Sequence, residues 1–167
     1  RVVDDGDVVM LGETRFEVIN TGGHTLGHIS FHDAADQVAF VGDTLFALGC
    51  GRMFEGTPEQ MWGSLQRLAA LPDETTVYCA HEYTLSNLAF AQAVEPGNAN
   101  LTARVSAAKA TREANQPTVP STIALEIATN PFLRWDAAEV IATAVSRGAT
   151  NSPDDVFTSV REWKNSF

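Results

Sequence analysis

The sequence predicts an α+β fold, with strands and one helix in its first half and helices alone in its second. Up to residue 83, short apolar, β-branched runs alternate with Gly, Asp and Pro, which is typical of strands joined by turns. From Thr84 onward, apolar residues recur at helical spacing and Ala is frequent, which favours helices. We therefore expect a strand-rich part at 1–83 and a helical part at 84–167.

The strand predictions begin with a hairpin. Residues 8–11 and 15–19 flank Gly12-Glu13, which is typical of a tight turn between two strands. Three more apolar runs, each bounded by Gly, Asp or Pro, predict further strands at 29–31, 38–41 and 77–79.

One helix with clear boundaries interrupts the strands. Thr57 is the predicted N-cap, Pro58 occupies the first helical position, and Gln60 completes a capping box. Pro72 ends the helix.

The second half predicts five helices. Leu85, Leu88 and Ala89 form the apolar face of the first, and the Ala-rich stretch 99–114 is the second. Ser121 is expected to cap a third, which ends before the next Asn-Pro pair.

The last two helices have their own boundary signals. Asp136 with Glu139 predicts a capping box, and Gly148 closes that helix. Ser152 and Pro153 open the final helix. Its apolar stripe consists of Val156, Val160, Trp163 and Phe167.

Composition narrows the function classes. A net charge of −10 argues against nucleic acid, whose phosphates require clustered Lys and Arg. No apolar stretch approaches the ~20 residues that cross a membrane, and the first residues lack the apolar region of a secretory signal. Cys50 and Cys79 are far apart and form no CxxC pair, so we expect buried free thiols and a cytoplasmic location.

Three polar residues each follow a strand-like run. They are His24, Asp43 and His81. Any one of them alone is more simply explained by a turn, a helix cap or a satisfied core histidine. Because strand ends converge on one edge of a sheet, the three together predict a metal site. Zinc, iron and manganese all accept imidazole and carboxylate ligands.

The segments around these residues resemble a known family. HTLGH at 24–28, GDTLF at 42–46 and HEYT at 81–84 are similar to the later motifs of the metallo-β-lactamase superfamily, and more narrowly to glyoxalase II, the hydroxyacylglutathione hydrolases. The resemblance continues through the helical half, in VEPGN at 94–98, QPTVPST at 116–122, NPFLR at 130–134 and VREWK at 160–164.

This resemblance implies both a fold and an activity. The fold is the C-terminal half of a metallo-β-lactamase αββα sandwich, followed by a small all-helical glutathione-binding domain. The activity is hydrolysis of S-(2-hydroxyacyl)glutathione thioesters, such as S-D-lactoylglutathione to D-lactate and glutathione, by two divalent metal ions. Zinc is the expected metal, with iron and manganese as alternatives.

The resemblance also assigns residue roles. His24 would bind the first metal, His81 the second, and Asp43 would bridge both and so take part in catalysis. His28 and His32 are expected to be structural.

Five residues are expected to contact the glutathione thioester. By resemblance, Arg161 and Lys164, three apart on one helix face, hold the glycine carboxylate of glutathione. Arg52 stands at a basic contact position, and Tyr83 offers a hydroxyl. Phe54 stands where many members have Tyr, so that hydroxyl contact is expected to be lost.

One motif of the superfamily is absent from these residues. The His-x-His-x-Asp-His motif, which supplies four further ligands, does not occur. We therefore expect this chain alone to bind little metal and to be inactive, with the missing N-terminal segment, or another copy meeting an exposed sheet edge, as its protein partner.

Two alternatives remain open. One is a degenerate, non-catalytic glutathione-binding module, against which the retention of all three ligands argues. The other is a different enzyme of the same fold, such as a persulfide dioxygenase, a group that lacks the helical tail.

Overall fold

The computed structural model describes residues 1–167 and contains eight strands and six helices, which confirms the α+β prediction. The strands are β1 (Val8–Leu11), β2 (Thr14–Asn20), β3 (Ile29–Asp33), β4 (Val38–Gly42), β5 (Leu45–Phe46), β6 (Gly49–Cys50), β7 (Thr76–Cys79) and β8 (Ser121–Thr122). The helices are α1 (Pro58–Ala69), α2 (Thr84–Val94), α3 (Ala99–Glu113), α4 (Ile123–Thr129), α5 (Ala138–Ser146) and α6 (Pro153–Ser166).

Six strands form one sheet in the order β1-β2-β3-β4-β7-β8. Neighbours are antiparallel except β4 and β7, which are parallel. It follows that β2, β4 and β7 run in the same direction and end at the same edge of the sheet. The remaining strands, β5 and β6, pair with each other as a separate hairpin.

The two faces of the sheet differ in their surroundings. On one face, Ala39, Val41 and Val77 are fully buried in an 18-residue core. On the other face, Phe40 is paired with Tyr78, and their rings stack 5.3 Å apart while remaining 44% and 42% exposed. The sheet is therefore covered by helices on one side only.

The core draws on both halves of the chain. It joins Leu65 of α1 and Val77 of β7 to Ile123 of α4, Phe132 and Val156 of α6. The strand-rich and helical parts therefore share one core, and their division at residue 83 stays a prediction.

The predicted helix starts hold for α1 but not for α4. Thr57 and Gln60 form the predicted capping box. Ser121 is not a cap, because Thr122 takes that position and its hydroxyl accepts the backbone N–H of Leu125 at 3.2 Å.

The capping box predicted at Asp136 is wrong. The N-cap of α5 is Ala137, and no side chain caps this helix. The carboxylate of Glu139 instead accepts the backbone N–H of Gly97 at 3.0 Å, so a tertiary contact replaces the local one.

Two predicted apolar faces also need correction. Leu85 and Ala89 of α2 are exposed, whereas Leu88 and Ala91 are buried against α3. The stripe on α6 is buried at Val156 and Val160 only; Trp163 is partly buried and Phe167 mostly exposed, while Phe157, which the stripe omitted, is buried.

None of the helices has both the length and the apolar character that a membrane crossing requires.

Candidate active site

The loops after β2, β4 and β7 meet at one pocket of about 580 Å³. His24, Asp43 and His81 come from these three loops, because the strands that precede them run in the same direction. All eight residues proposed from the sequence line this pocket: His24, Asp43, Arg52, Phe54, His81, Tyr83, Arg161 and Lys164. Sequence reasoning missed five other lining residues: Phe46, Cys50, Gly51, Ser86 and Asn87.

His81 and Asp43 lie next to each other. His81 Nε2 is 3.3 Å from Asp43 Oδ1. The ring of Tyr83 stacks on the imidazole with centroids 5.2 Å apart, and Phe46 packs on Tyr83 from the side. These aromatic contacts orient His81 toward the carboxylate.

His24 is held through one ring nitrogen. Its Nδ1 donates a 2.7 Å hydrogen bond to the backbone carbonyl oxygen of Arg52, which can only accept. In the neutral ring the Nε2 atom therefore carries a lone pair, as in histidines that bind metals through Nε2 while Nδ1–H contacts the protein. The ring of Phe54 lies 5.0 Å from the imidazole.

His28 takes a supporting position. Its Nε2 accepts the backbone N–H of Asp43 at 3.0 Å, so the proton of the neutral ring is on Nδ1, near the hydroxyls of Thr21 and Thr44. Burial, and secondly the charge of His24, lower the pKa of His28. His28 thereby holds the Asp43 loop and has no free nitrogen.

His32 lies away from these loops. It is buried on β3 and does not line the pocket.

Two basic side chains of α6 face the pocket without a carboxylate partner. Arg161 is only 3% exposed; its Nη2 donates to Asn165 Oδ1, and its Nε has no hydrogen-bond partner. Lys164 Nζ lies 3.4 Å from the carbonyl oxygen of Ser86. Burial, and then the neighbouring Arg161, lower the pKa of Lys164. A buried, uncompensated guanidinium is costly, so this part of the pocket favours an anion.

The cysteines do not neutralise these cations. Burial raises the pKa of the Cys50 thiol to about 11, so Cys50 is uncharged near neutral pH. Cys79 is only partly buried, contrary to the prediction, and its Sγ donates to the carbonyl oxygen of His81. Both are free thiols.

The donor chemistry of the pocket fits a divalent cation in part. His24 Nε2, the Asp43 carboxylate and His81 Nε2 are ligand types that zinc, iron and manganese accept. In the structure, no three His, Cys, Asp or Glu side chains form a complete metal-binding cluster.

Comparison with known proteins gives two family matches in succession. Residues 1–81 match the metallo-beta-lactamase superfamily, and residues 82–167 match the hydroxyacylglutathione hydrolase C-terminus. A hydroxyacylglutathione hydrolase from Maricaulis maris is 52% identical over 166 residues, covering 99% of this chain and 64% of the relative. The chain thus spans just under two thirds of the length of that relative.

Solved structures agree with this fold. ETHE1 from Myxococcus xanthus superposes with a TM-score of 0.60 at 27% identity, covering 96% of this chain and 50% of that one. A di-iron-bound form of TTHA1623 gives a TM-score of 0.52 at 27% identity, covering 80% and 48%.

Proposed function

The chain belongs to the hydroxyacylglutathione hydrolase family of the metallo-beta-lactamase superfamily, and on that basis we propose that its pocket binds and hydrolyses S-(2-hydroxyacyl)glutathione thioesters. S-D-lactoylglutathione is the proposed substrate, with D-lactate and glutathione as products. Such a reaction would serve methylglyoxal detoxification.

One observation carries the proposal. Arg161 is buried, has no acidic partner and lines the same pocket as His24 and Asp43. An anionic peptide such as glutathione would supply the missing counter-charge, and its thioester would then share the pocket with the metal-ligand side chains. Arg161 and Lys164 would hold the glycine carboxylate.

Three residues are proposed to bind the metal. His24 would bind one ion, His81 the other, and Asp43 both. When bound, two divalent ions supply Lewis-acid activation of water and of the thioester carbonyl. The donor set is compatible with zinc, and the di-iron-bound relative supports iron as the alternative.

The other pocket residues would position the substrate. Tyr83 stacks on His81 and lines the pocket beside this proposed ligand, where its hydroxyl would contact the peptide. Arg52 adds positive charge for the peptide, and Phe54, which is mostly exposed beside His24, adds an apolar contact.

We also propose a division of labour within the chain. Residues 1–83 would carry the metal ligands and residues 84–167 most of the glutathione contacts. Because three protein ligands are too few for two catalytic ions, the remaining ligands would come from outside these 167 residues, and the chain alone would show no turnover. The free thiols support a cytoplasmic setting.

The edge of the sheet supports a further partner proposal. Strand β1 is one of the two edge strands, and Met10 and Leu11 on it are mostly exposed. An open apolar edge favours pairing with another chain, so we propose self-association there. Sedimentation equilibrium would contradict this if the chain stayed monomeric at all concentrations.

Titration calorimetry with S-methylglutathione, which carries the tripeptide but no thioester, tests the binding proposal. We expect saturable binding that disappears in Arg161→Gln, whereas binding that is unaffected by this change would contradict the assigned anchor.

A second assay measures glutathione release from S-D-lactoylglutathione with added zinc. Release above background by this chain alone would refute the claim that its metal site is incomplete.

A further inference from the structure

The hairpin formed by β5 and β6 has an unusual turn. Leu48 adopts φ +62°, a left-handed backbone conformation that residues other than Gly and Asn rarely take. Leu48 is also fully buried, packed with Leu88 and Leu101 of the helical part. A strained backbone of this kind persists only where the surrounding structure holds it.

Three buried side chains from the helical part supply that restraint. Glu126 Oε2 accepts the backbone N–H of Leu48 at 2.9 Å, 78 residues away in sequence. Asn130 Nδ2 lies 3.2 Å from the carbonyl oxygen of Phe46 and 3.0 Å from that of Gly49. Asn87 Nδ2 donates to the carbonyl oxygen of Ala47 at 3.1 Å. Each residue from 46 to 49 therefore has a backbone group held by a helical side chain.

Glu126 is itself immobilised. Its Oε1 accepts hydrogen bonds from Arg104 Nη2 and Ser121 Oγ, and its Oε2 also accepts one from Asn130 Nδ2. The side chain is fully buried. With all these partners in place, the carboxylate has no other position available, and the Leu48 N–H is fixed with it.

The ends of this hairpin reach two of the proposed metal ligands. The Gly51 N–H donates to the carbonyl oxygen of Thr44 at 3.2 Å, directly beside Asp43. A Cβ on Gly51 would lie 1.9 Å from the carbonyl oxygen of Asp43, so the two backbones are in direct contact. The next carbonyl, that of Arg52, accepts the hydrogen bond from His24 Nδ1.

We propose that Glu126 is a positioning residue for His24 and Asp43. It acts through the strained turn at Leu48, which sets where the Arg52 carbonyl and the Asp43 backbone lie. That His24 and Asp43 bind a metal rests on the proposed function. That Glu126 sets their positions does not.

The nitrogen resonances of the histidine rings test this claim. The chain has only four histidines, so ¹⁵N spectra of its imidazoles are simple to assign. In the wild-type chain we expect His24 to be a single Nδ1–H tautomer, with two well-separated ring resonances. In Glu126→Gln an NH₂ group replaces one of the two carboxylate oxygens. The backbone N–H of Leu48 and the guanidinium of Arg104 then can no longer both keep their oxygen acceptors. The two His24 resonances should then move toward their average.

A matched control separates positioning from general stability. Thr129→Val removes the hydroxyl that accepts from Arg104 Nη1 and leaves every contact to residues 46–49 in place. We expect it to lower stability without moving the His24 resonances. Because Glu126→Gln leaves Arg104 poorly compensated and could prevent folding, Asn130→Ala provides a second variant. It removes the contacts to Phe46 and Gly49, keeps the Arg104–Glu126 pair, and should also average the His24 resonances.

The outcomes divide cleanly. Averaging in Glu126→Gln but not in Thr129→Val supports the positioning role; if Glu126→Gln does not fold, averaging in Asn130→Ala but not in Thr129→Val supports it instead. A folded Glu126→Gln with unchanged His24 resonances overturns the proposal. Changes in all three variants that follow their loss of stability also overturn it. The readout needs neither metal nor substrate. A wild-type chain that fails to bind S-methylglutathione would therefore count against the proposed function and leave this result standing.

Discussion

The Nδ1 atom of His24 lies 2.7 Å from the backbone carbonyl oxygen of Arg52, and this contact decides which ring nitrogen is available. Since the carbonyl takes the proton-bearing nitrogen, Nε2 is left for a ligand. The loop that carries Arg52 thus orients a residue 28 positions earlier in the sequence.

Zinc affinity should depend on the three proposed ligands. Replacing His24 or His81 by Gln, or Asp43 by Asn, removes or weakens one donor, and we expect zinc affinity to fall at least ~10-fold in competition titrations with a chromogenic chelator. His32→Gln is the control, because His32 is buried on β3 away from the pocket. Equal affinity in all variants would rule out this assignment.

We expect Arg161 to lower the stability of the fold while it supports the binding of S-methylglutathione. In Arg161→Met, removal of a buried cation without a carboxylate partner should leave the free energy of unfolding unchanged or raise it by about 1 kcal/mol. The affinity for S-methylglutathione should fall about 10- to 100-fold, as expected for charge-assisted hydrogen bonds.

Lys109→Met is the control for this change, since Lys109 is exposed on α3 outside the pocket. The interpretation fails if Arg161→Met destabilises the fold strongly and binds the ligand normally.

Cys50 should make the fold sensitive to alkali. Burial raises its pKa from 9.0 to about 11, so the folded state keeps the thiol protonated after the unfolded chain has lost the proton. The protonated thiol therefore contributes stability that is fully present below pH 9 and is lost as pH rises through 11. The total loss in the free energy of unfolding approaches about 3 kcal/mol.

Urea unfolding of wild type and Cys50→Ala at several pH values measures the difference. The stability of Cys50→Ala should fall less steeply with rising pH than that of the wild type. Parallel pH profiles would show that Cys50 is not the titrating group.

The two predicted capping boxes should respond differently to mutation. Thr57→Ala removes a hydroxyl that accepts the Gln60 N–H and should cost about 1 kcal/mol. Asp136→Ala should change the free energy of unfolding by less than about 0.5 kcal/mol, because Asp136 does not cap α5. Equal losses in the two variants, measured by chemical denaturation, would mean that Asp136 acts as a cap after all.

Local patterns in the sequence predicted the features that depend on neighbouring residues. The hairpin at Gly12, the capping box at Thr57 and the helix end at Gly148 all formed as expected, because their hydrogen bonds and backbone angles are set within a few positions. The convergence of His24, Asp43 and His81 also followed, since it needs only strands that run in one direction.

Features fixed by distant contacts could not be predicted in this way. The spacing of Glu139 from Asp136 predicted a capping role, but the Glu139 carboxylate instead accepts a hydrogen bond from the backbone N–H of Gly97. Glu126 and Asn130 are far from Leu48 in the sequence. No local pattern therefore indicates that their side chains hold the strained turn at Leu48. Cys50 was predicted to be buried, but not to line the pocket beside Arg161.

The central claim is that metal ligands and glutathione anchors share one pocket, and relaxation measurements with Mn²⁺ test it most directly. S-methylglutathione is mixed with the chain, and the broadening of its proton resonances is followed as Mn²⁺ is added. If the glycyl carboxylate lies on Arg161 and Lys164 and the sulfur points to His24, Asp43 and His81, the S-methyl and cysteinyl protons broaden more than the glycyl protons. Asp43→Asn should abolish that pattern. Broadening that is absent, or greatest at the glycyl protons, would contradict the account.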